Sequence, residues 1–159
     1  MLVRYTGDNM EKEQSNRQLL NELLVDLFNY ILLLEERNLK KNGLNGLSIN
    51  EVHIIEAIEK TETPSMSEVA NRLMVTPSTL STSVNRLIQK GFVQSKRSTE
   101  DRRVVLLSLT DKGKEAFIIH EEFHKKMINH ILSQTNFNED ELLIQSLHNL
   151  MEFFKQLKL

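Results

Sequence analysis

Cysteine is absent from this chain of 159 residues, and proline occurs only twice. Without cysteine there can be no disulfide, no thiolate metal site and no thiol-based redox sensing, and a cytoplasmic setting is expected. No apolar run approaches the roughly 18 residues that a membrane span needs, so no membrane partner is expected. The opening MLVRYTGDNMEKEQ lacks the apolar core of a secretory signal, and residues 1–13 read as a flexible tail. There is no internal repeat and no low-complexity tract. What remains is one domain, or one with helical extensions, long enough to bury a core.

Charge is scarce in net terms as well. The sum is −2 and the pI is about 6.2, which argues mildly against a nucleic-acid partner. The average hides a division. Between Arg72 and Lys114 nine cations face three anions, a net of +6, which leaves −8 for the rest of the chain. A basic module in an acidic body is the footprint of a protein that meets phosphate on one face.

The chain in order begins with a helix expected from Gln14 to Leu39. Its stripe of Leu19, Leu20, Leu23, Leu24, Leu27, Phe28, Ile31, Leu32, Leu33 and Leu34 is wider than one core face requires. Such a helix is deeply buried or shared with a second chain. Asn42-Gly43-Leu44-Asn45-Gly46 ends it. Ser48-Ile49-Asn50-Glu51 is a capping box and starts a second helix that stops near Thr61. Thr63-Pro64 breaks the chain. Ser65-Met66-Ser67-Glu68 repeats the capping pattern for a short third helix. Thr76 then caps a fourth, with Pro77 at its first position, where a missing N–H costs nothing. That helix runs to Lys90 and ends at Gly91.

Two short helices joined by a tight turn make a helix-turn-helix. On the second of them Leu80, Val84, Leu87 and Ile88 share the inward arc. Ser78, Thr79, Thr82, Asn85, Arg86 and Gln89 form the outward one, with Ser81 on its flank. Short hydroxyl side chains let a helix sit deep in a major groove. Arginine can fork onto guanine and asparagine onto adenine. Phe92-Val93-Gln94-Ser95 and Val104–Leu109 read as paired strands. Between them lies Lys96-Arg97-Ser98-Thr99-Glu100-Asp101-Arg102-Arg103, too polar to pack. A basic hairpin beside a recognition helix is a wing, and an arginine at its tip suits the negative potential of a minor groove. Asp101 is placed to hold the neighbouring arginine side chains by charge-assisted hydrogen bonds. Thr110-Asp111 caps a further long helix that fades near Gln134, and Asn138-Glu139-Asp140-Glu141 reads as the cap of a last one. The expected fold class is therefore mainly α with a small β-hairpin wing. Residues 48–109 form the winged helix-turn-helix, and residues 14–47 with 110–159 form a helical dimerisation region.

The combination resembles the MarR family of winged-helix transcriptional regulators. Asp101-Arg102-Arg103-Val104-Val105-Leu106-Leu107-Ser108-Leu109-Thr110 matches the family's D-x-R-x-x-x-L-x-L-T wing signature. Ser67-Glu68-Val69-Ala70, the stretch from Thr79 to Leu87 and Lys90-Gly91-Phe92-Val93 match its helix-turn-helix. The resemblance implies a homodimer whose terminal helices join and whose two winged helices occupy successive major grooves of a pseudopalindromic duplex operator. It makes Arg103 the minor-groove arginine, Asp101 its orienting partner, and the face from Ser78 to Arg86 the major-groove reader. Ser78, Thr79, Ser81, Thr82, Asn85, Arg86, Lys96, Arg97, Asp101, Arg102 and Arg103 are the expected DNA-binding set.

Leu34-Glu35-Glu36-Arg37-Asn38-Leu39, Ile49-Asn50-Glu51-Val52-His53, Leu73-Met74-Val75-Thr76 and Phe123-His124-Lys125-Lys126-Met127 look more narrowly like the FabT-like repressors of fatty-acid synthesis. That likeness implies acyl-acyl carrier protein as corepressor. An apolar cleft lined by Phe28, Ile31, Leu32, Phe117 and Phe123 would take the acyl chain. His120-Glu121-Glu122-Phe123-His124 is a literal H-E-x-x-H, yet no third-ligand motif follows it and no enzyme is expected. A zinc-dependent hydrolase through His120, Glu121 and His124 is a remote alternative. A sensory zinc site drawing on Glu35, His120 and His124 is a nearer one, as is a sensor of another small apolar ligand. Half-buried histidines without metal are the preferred reading.

Overall fold

The computed structural model describes the backbone of residues 3–137 and 139–157, and the side chains of residues 12–137 and 139–157. In chain order it contains α1 (Val3–Lys41), α2 (Ile49–Glu59), α3 (Met66–Arg72), α4 (Pro77–Gln89), β1 (Val93–Arg97), β2 (Val105–Leu109), α5 (Asp111–Gln134) and α6 (Glu141–Gln156). The chain divides into two compact units, Met1–Phe117 and Ile118–Leu159. None of the described helices is long and apolar enough to cross a membrane.

The helix expected from Gln14 begins at Val3, so most of the stretch read as a flexible tail is helical. The residues just ahead of Gln14 are glutamate and lysine, good helix formers, and Glu13 pairs with Arg17 one turn on at 2.7 Å. α1 ends where Gly43 takes a φ of 77°, an angle that costs a residue without Cβ nothing.

In the first unit the caps act as read. Ser48 Oγ accepts the Glu51 amide at 3.3 Å, and the Glu51 carboxylate accepts the Ser48 amide at 2.8 Å. Ser65 Oγ accepts the Glu68 amide at 3.1 Å. Thr76 Oγ1 accepts the Thr79 amide at 3.2 Å, with Pro77 opening the helix. α4 buries Leu80, Val84 and Leu87 against Val52, Ile55 and Ile58 of α2 and Val69 of α3. At its end Gly91 has a φ of 78° and the Phe92 amide bonds back to Leu87 O at 2.9 Å, which turns the chain into the hairpin.

β1 and β2 are antiparallel, with Val93 opposite Leu109 and Arg97 opposite Val105. The first strand thus lies further along than Phe92–Ser95, because pairing persists outward to the base of the wing. A third edge was not anticipated. Leu107 donates its amide to Pro64 O at 2.8 Å, and Ser65 bridges Leu106. Proline cannot donate to a ladder but its carbonyl can accept, so a break in one helix serves as a sheet edge.

The start of α5 is seated closely on this hairpin. A Cβ added at Gly113 would lie 2.1 Å from Phe92 O, so only glycine fits. Thr110 Oγ1 accepts the Gly113 amide at 3.1 Å and donates to Gly91 O at 2.7 Å.

The second unit holds the rest of α5 together with α6. Asp140 caps α6 by accepting the Leu143 amide at 2.9 Å. The cap expected at Asn138, a residue outside those described, falls on Asp140, whose short carboxylate reaches the amide three residues on. No residue of α6 is buried.

Candidate nucleic-acid interface

The outward face of α4 carries Ser78, Thr79, Thr82, Asn85 and Arg86, all exposed, with Ser81 half-buried on its flank. The helix is strongly two-sided because its apolar residues recur at positions 80, 84 and 87. The Thr79 hydroxyl is tied to that of Thr76 at 2.9 Å. Arg86 makes no ion pair among the described residues, so its guanidinium remains available to an outside acceptor.

The wing is built around Ser98 and Asp101. Ser98 Oγ accepts the amides of Glu100 and Asp101 at 3.2 and 3.4 Å, and Val104 N donates to Asp101 O at 2.9 Å. This turns the chain sharply and leaves the Asp101 carboxylate beside Arg103. Arg103 then donates three times: backbone N to Oδ1 at 2.9 Å, Nε to Oδ1 at 3.2 Å and Nη2 to Oδ2 at 3.2 Å. Those side-chain and backbone bonds hold the Asp101 carboxyl below its usual range. The Arg103 side chain is 91% exposed, so the fork aims a charged group into solvent rather than burying it. One terminal nitrogen of the guanidinium is untouched by the aspartate. Arg97 donates to Arg102 O at 3.0 Å and stiffens the base of the tip, while Lys96 and Arg102 are exposed.

Sequence reasoning missed one support of this face. Lys90, the C-cap of α4, donates to both Glu51 oxygens at 2.7 and 2.8 Å and to Gly46 O at 2.7 Å. Burial raises the Glu51 pKa, but bonds from Lys90 and Ser48 outweigh it and the net shift is downward. One ammonium thus ties the end of the recognition helix to the start of α2 and the preceding loop. A thirty-nine-residue separation left no local signal for it.

Of the other expected positions, Glu35 is buried on α1 and meets His53 Nε2 of α2 at 3.4 Å. His120 and His124 stand one turn apart on α5 with their Nε2 atoms 3.2 Å apart. That distance suits an N–H···N hydrogen bond, and equally two ligands of one ion. Glu121, the base in the protease reading, is engaged by Lys125 at 3.0 Å. Of the acyl-cleft residues, Leu32 lines an open groove of about 390 Å³ between α1 and α2 with Leu33, Ile49, Asn29 and Glu36. Phe28 is 68% exposed, whereas Ile31, Phe117 and Phe123 are half-buried.

A helix-turn-helix followed by a two-stranded hairpin with a basic tip defines a winged-helix protein. Residues 47–105 match the model of the MarR family. Streptococcus pneumoniae FabT, solved in complex with DNA, is 39% identical, covers 89% of this chain and 99% of its own, and superposes with a TM-score of 0.84. The repressor MdtR of Bacillus subtilis is 29% identical over 100 residues, 63% of this chain and 64% of its own length. The regulator ZitR of Lactococcus lactis is 29% identical over 83 residues, 52% of this chain and 57% of its own. The chain thus spans 57–64% of the length of these curated relatives. It belongs to the MarR family, whose members matched here are transcriptional regulators.

Proposed function

We propose that this protein is a homodimeric repressor that sets two winged helices on successive major grooves of a pseudopalindromic operator. Its targets are genes of fatty-acid synthesis, and its corepressor is an acyl chain delivered on acyl carrier protein. The observation that carries the DNA reading is the Asp101–Arg103 fork at the tip of a basic hairpin, beside a helix whose outward face is short, polar and exposed. α4 reads base edges through Asn85 and Arg86. Arg103 enters the flanking minor groove, and Lys96, Arg97 and Arg102 meet phosphate. The dimer is supported by the exposed apolar stripes of α1 and α6. The fatty-acid branch is supported by 39% identity, over almost the whole of both chains, to FabT.

The test is fluorescence anisotropy of the full chain on a duplex selected from a random pool, at several salt concentrations. Binding should weaken steeply with salt. Arg103→Ala should cost about tenfold or more on every duplex, while Arg86→Ala should relax preference at particular base pairs. If both variants bind like the parent, the groove assignments are wrong. Adding acyl carrier protein with and without a long acyl chain addresses the effector. Tighter binding with the acylated form alone is the expected result, and an equal effect of both forms would remove the acyl chain from the scheme.

A further inference from the structure

Met74 lies in the turn between α3 and α4, two positions ahead of the cap of the recognition helix. Among the described residues it is the one non-glycine residue with a positive φ, at 55°. A side chain with a Cβ opposes that backbone conformation, which glycine adopts freely and asparagine tolerates. The conformation is imposed from both sides. Met74 N donates to Asn71 O at 3.1 Å, Val75 N donates to Ala70 O at 3.0 Å, and Ala70 is wholly buried. The turn cannot relax to suit its residue.

A strained position is retained where the side chain returns something. Inside this molecule Met74 returns nothing, because it is 89% exposed, the highest value among the exposed large hydrophobic side chains described. Nor does it belong to an apolar stripe that a second copy would cover. The exposed residues that flank it along the chain include Asn71, Arg72, Val75, Thr76, Ser78 and Thr79, polar except for Val75. It is an exposed apolar side chain two positions ahead of the cap of α4, held by the turn that leads into that helix. A duplex offers such a finger two apolar surfaces at the groove edge: the thymine 5-methyl group and the carbon face of deoxyribose. The thioether is long, unbranched and polarisable, and adapts to either.

We propose that Met74 is a DNA-contacting residue whose side chain packs on the apolar edge of the operator's major groove. The inference rests on α4 entering that groove. Its test is therefore run beside Arg103→Ala, on the selected duplex and with the full chain. Met74→Asn keeps the left-handed backbone but removes the apolar surface, and should bind about fivefold to tenfold more weakly while melting no lower than the parent. Met74→Leu should bind within about twofold of the parent. Met74→Gly releases the strained angle, so it should melt no lower than the parent while binding as weakly as the asparagine variant. Replacing single thymines by uracil separates the two surfaces. A loss seen with the parent but not with Met74→Asn assigns the contact to that methyl, and a loss independent of uracil assigns it to deoxyribose. If Met74→Asn and Met74→Gly bind like the parent while Arg103→Ala does not, the Met74 contact is wrong and groove docking stands. If Arg103→Ala is silent too, docking itself falls.

Discussion

The winged-helix core and the long flanking helices are both rich in leucine, yet they treat it in opposite ways. In the core Val52, Ile55, Val69, Val84 and Leu87 have no exposed surface. On α6 nothing is buried, with Leu142 at 77% and Phe154 at 53% exposure, and on α1 Leu23 stands at 58%. An apolar stripe at helical spacing is the same signal in both places. In the core three helices and a hairpin converge on one interior and close it. The stripes of α1 and α6 stay exposed within one chain, and in the proposed homodimer a second copy would cover them. One region is closed on itself, and the other is, on the proposed reading, half of an interface.

The comparison breaks most visibly if the core is not self-sufficient. Leu87→Ala should cost about 3 kcal/mol in denaturant titrations followed by circular dichroism, since the chain has no tryptophan. The loss should show in unfolding itself and persist at every protein concentration. Phe154→Glu should act in the opposite manner. It should raise the dimer dissociation constant about a hundredfold in sedimentation equilibrium while leaving the helical signal of the chain in place. A core-like loss of fold from Phe154→Glu, with no change in association, would erase the distinction between the regions.

Smaller changes sharpen the picture within the module. Thr76→Ala removes the cap of the recognition helix and should cost about 1 kcal/mol, with weaker operator binding as the readout beyond stability. Glu51→Gln tests the tie to Lys90. Because the folded pKa of Glu51 is depressed, its contribution is fully present above the ordinary glutamate range near pH 4.3. It fades as pH falls through that range and through the lower folded value. The parent should lose stability over this acid window more steeply than Glu51→Gln. The gap at neutral pH should be roughly 0.5–1 kcal/mol, since the Lys90 partner is 38% exposed and screened. Equal acid limbs would show that the tie contributes nothing.

Much of the site was legible because it is local. The Ser48 and Thr76 caps, the turn at Gly91 and the Asp101–Arg103 fork each join residues no more than five positions apart. The polar and apolar arcs of α4 follow from a period of 3.6 residues. Where local signals competed, the reading slipped. Asn138 and Asp140 are both good helix caps, and the cap fell to Asp140. The expected tail had no helix breaker beyond Gly7, and the helix ran through it.

By itself the sequence determined which segments become helix or strand, where α2, α3 and α4 start, and which face of α4 is polar. Those outcomes depend on contacts within one turn of chain. The tertiary structure alone decided that Lys90 would reach Glu51 and Gly46, that Pro64 would edge the sheet, and that Gly113 would lie against Phe92. It also decided that Met74 would be held at an angle its side chain disfavours. Each of these depends on chain paths meeting in space, and pairs separated by tens of residues leave no periodicity or capping pattern by which to find them.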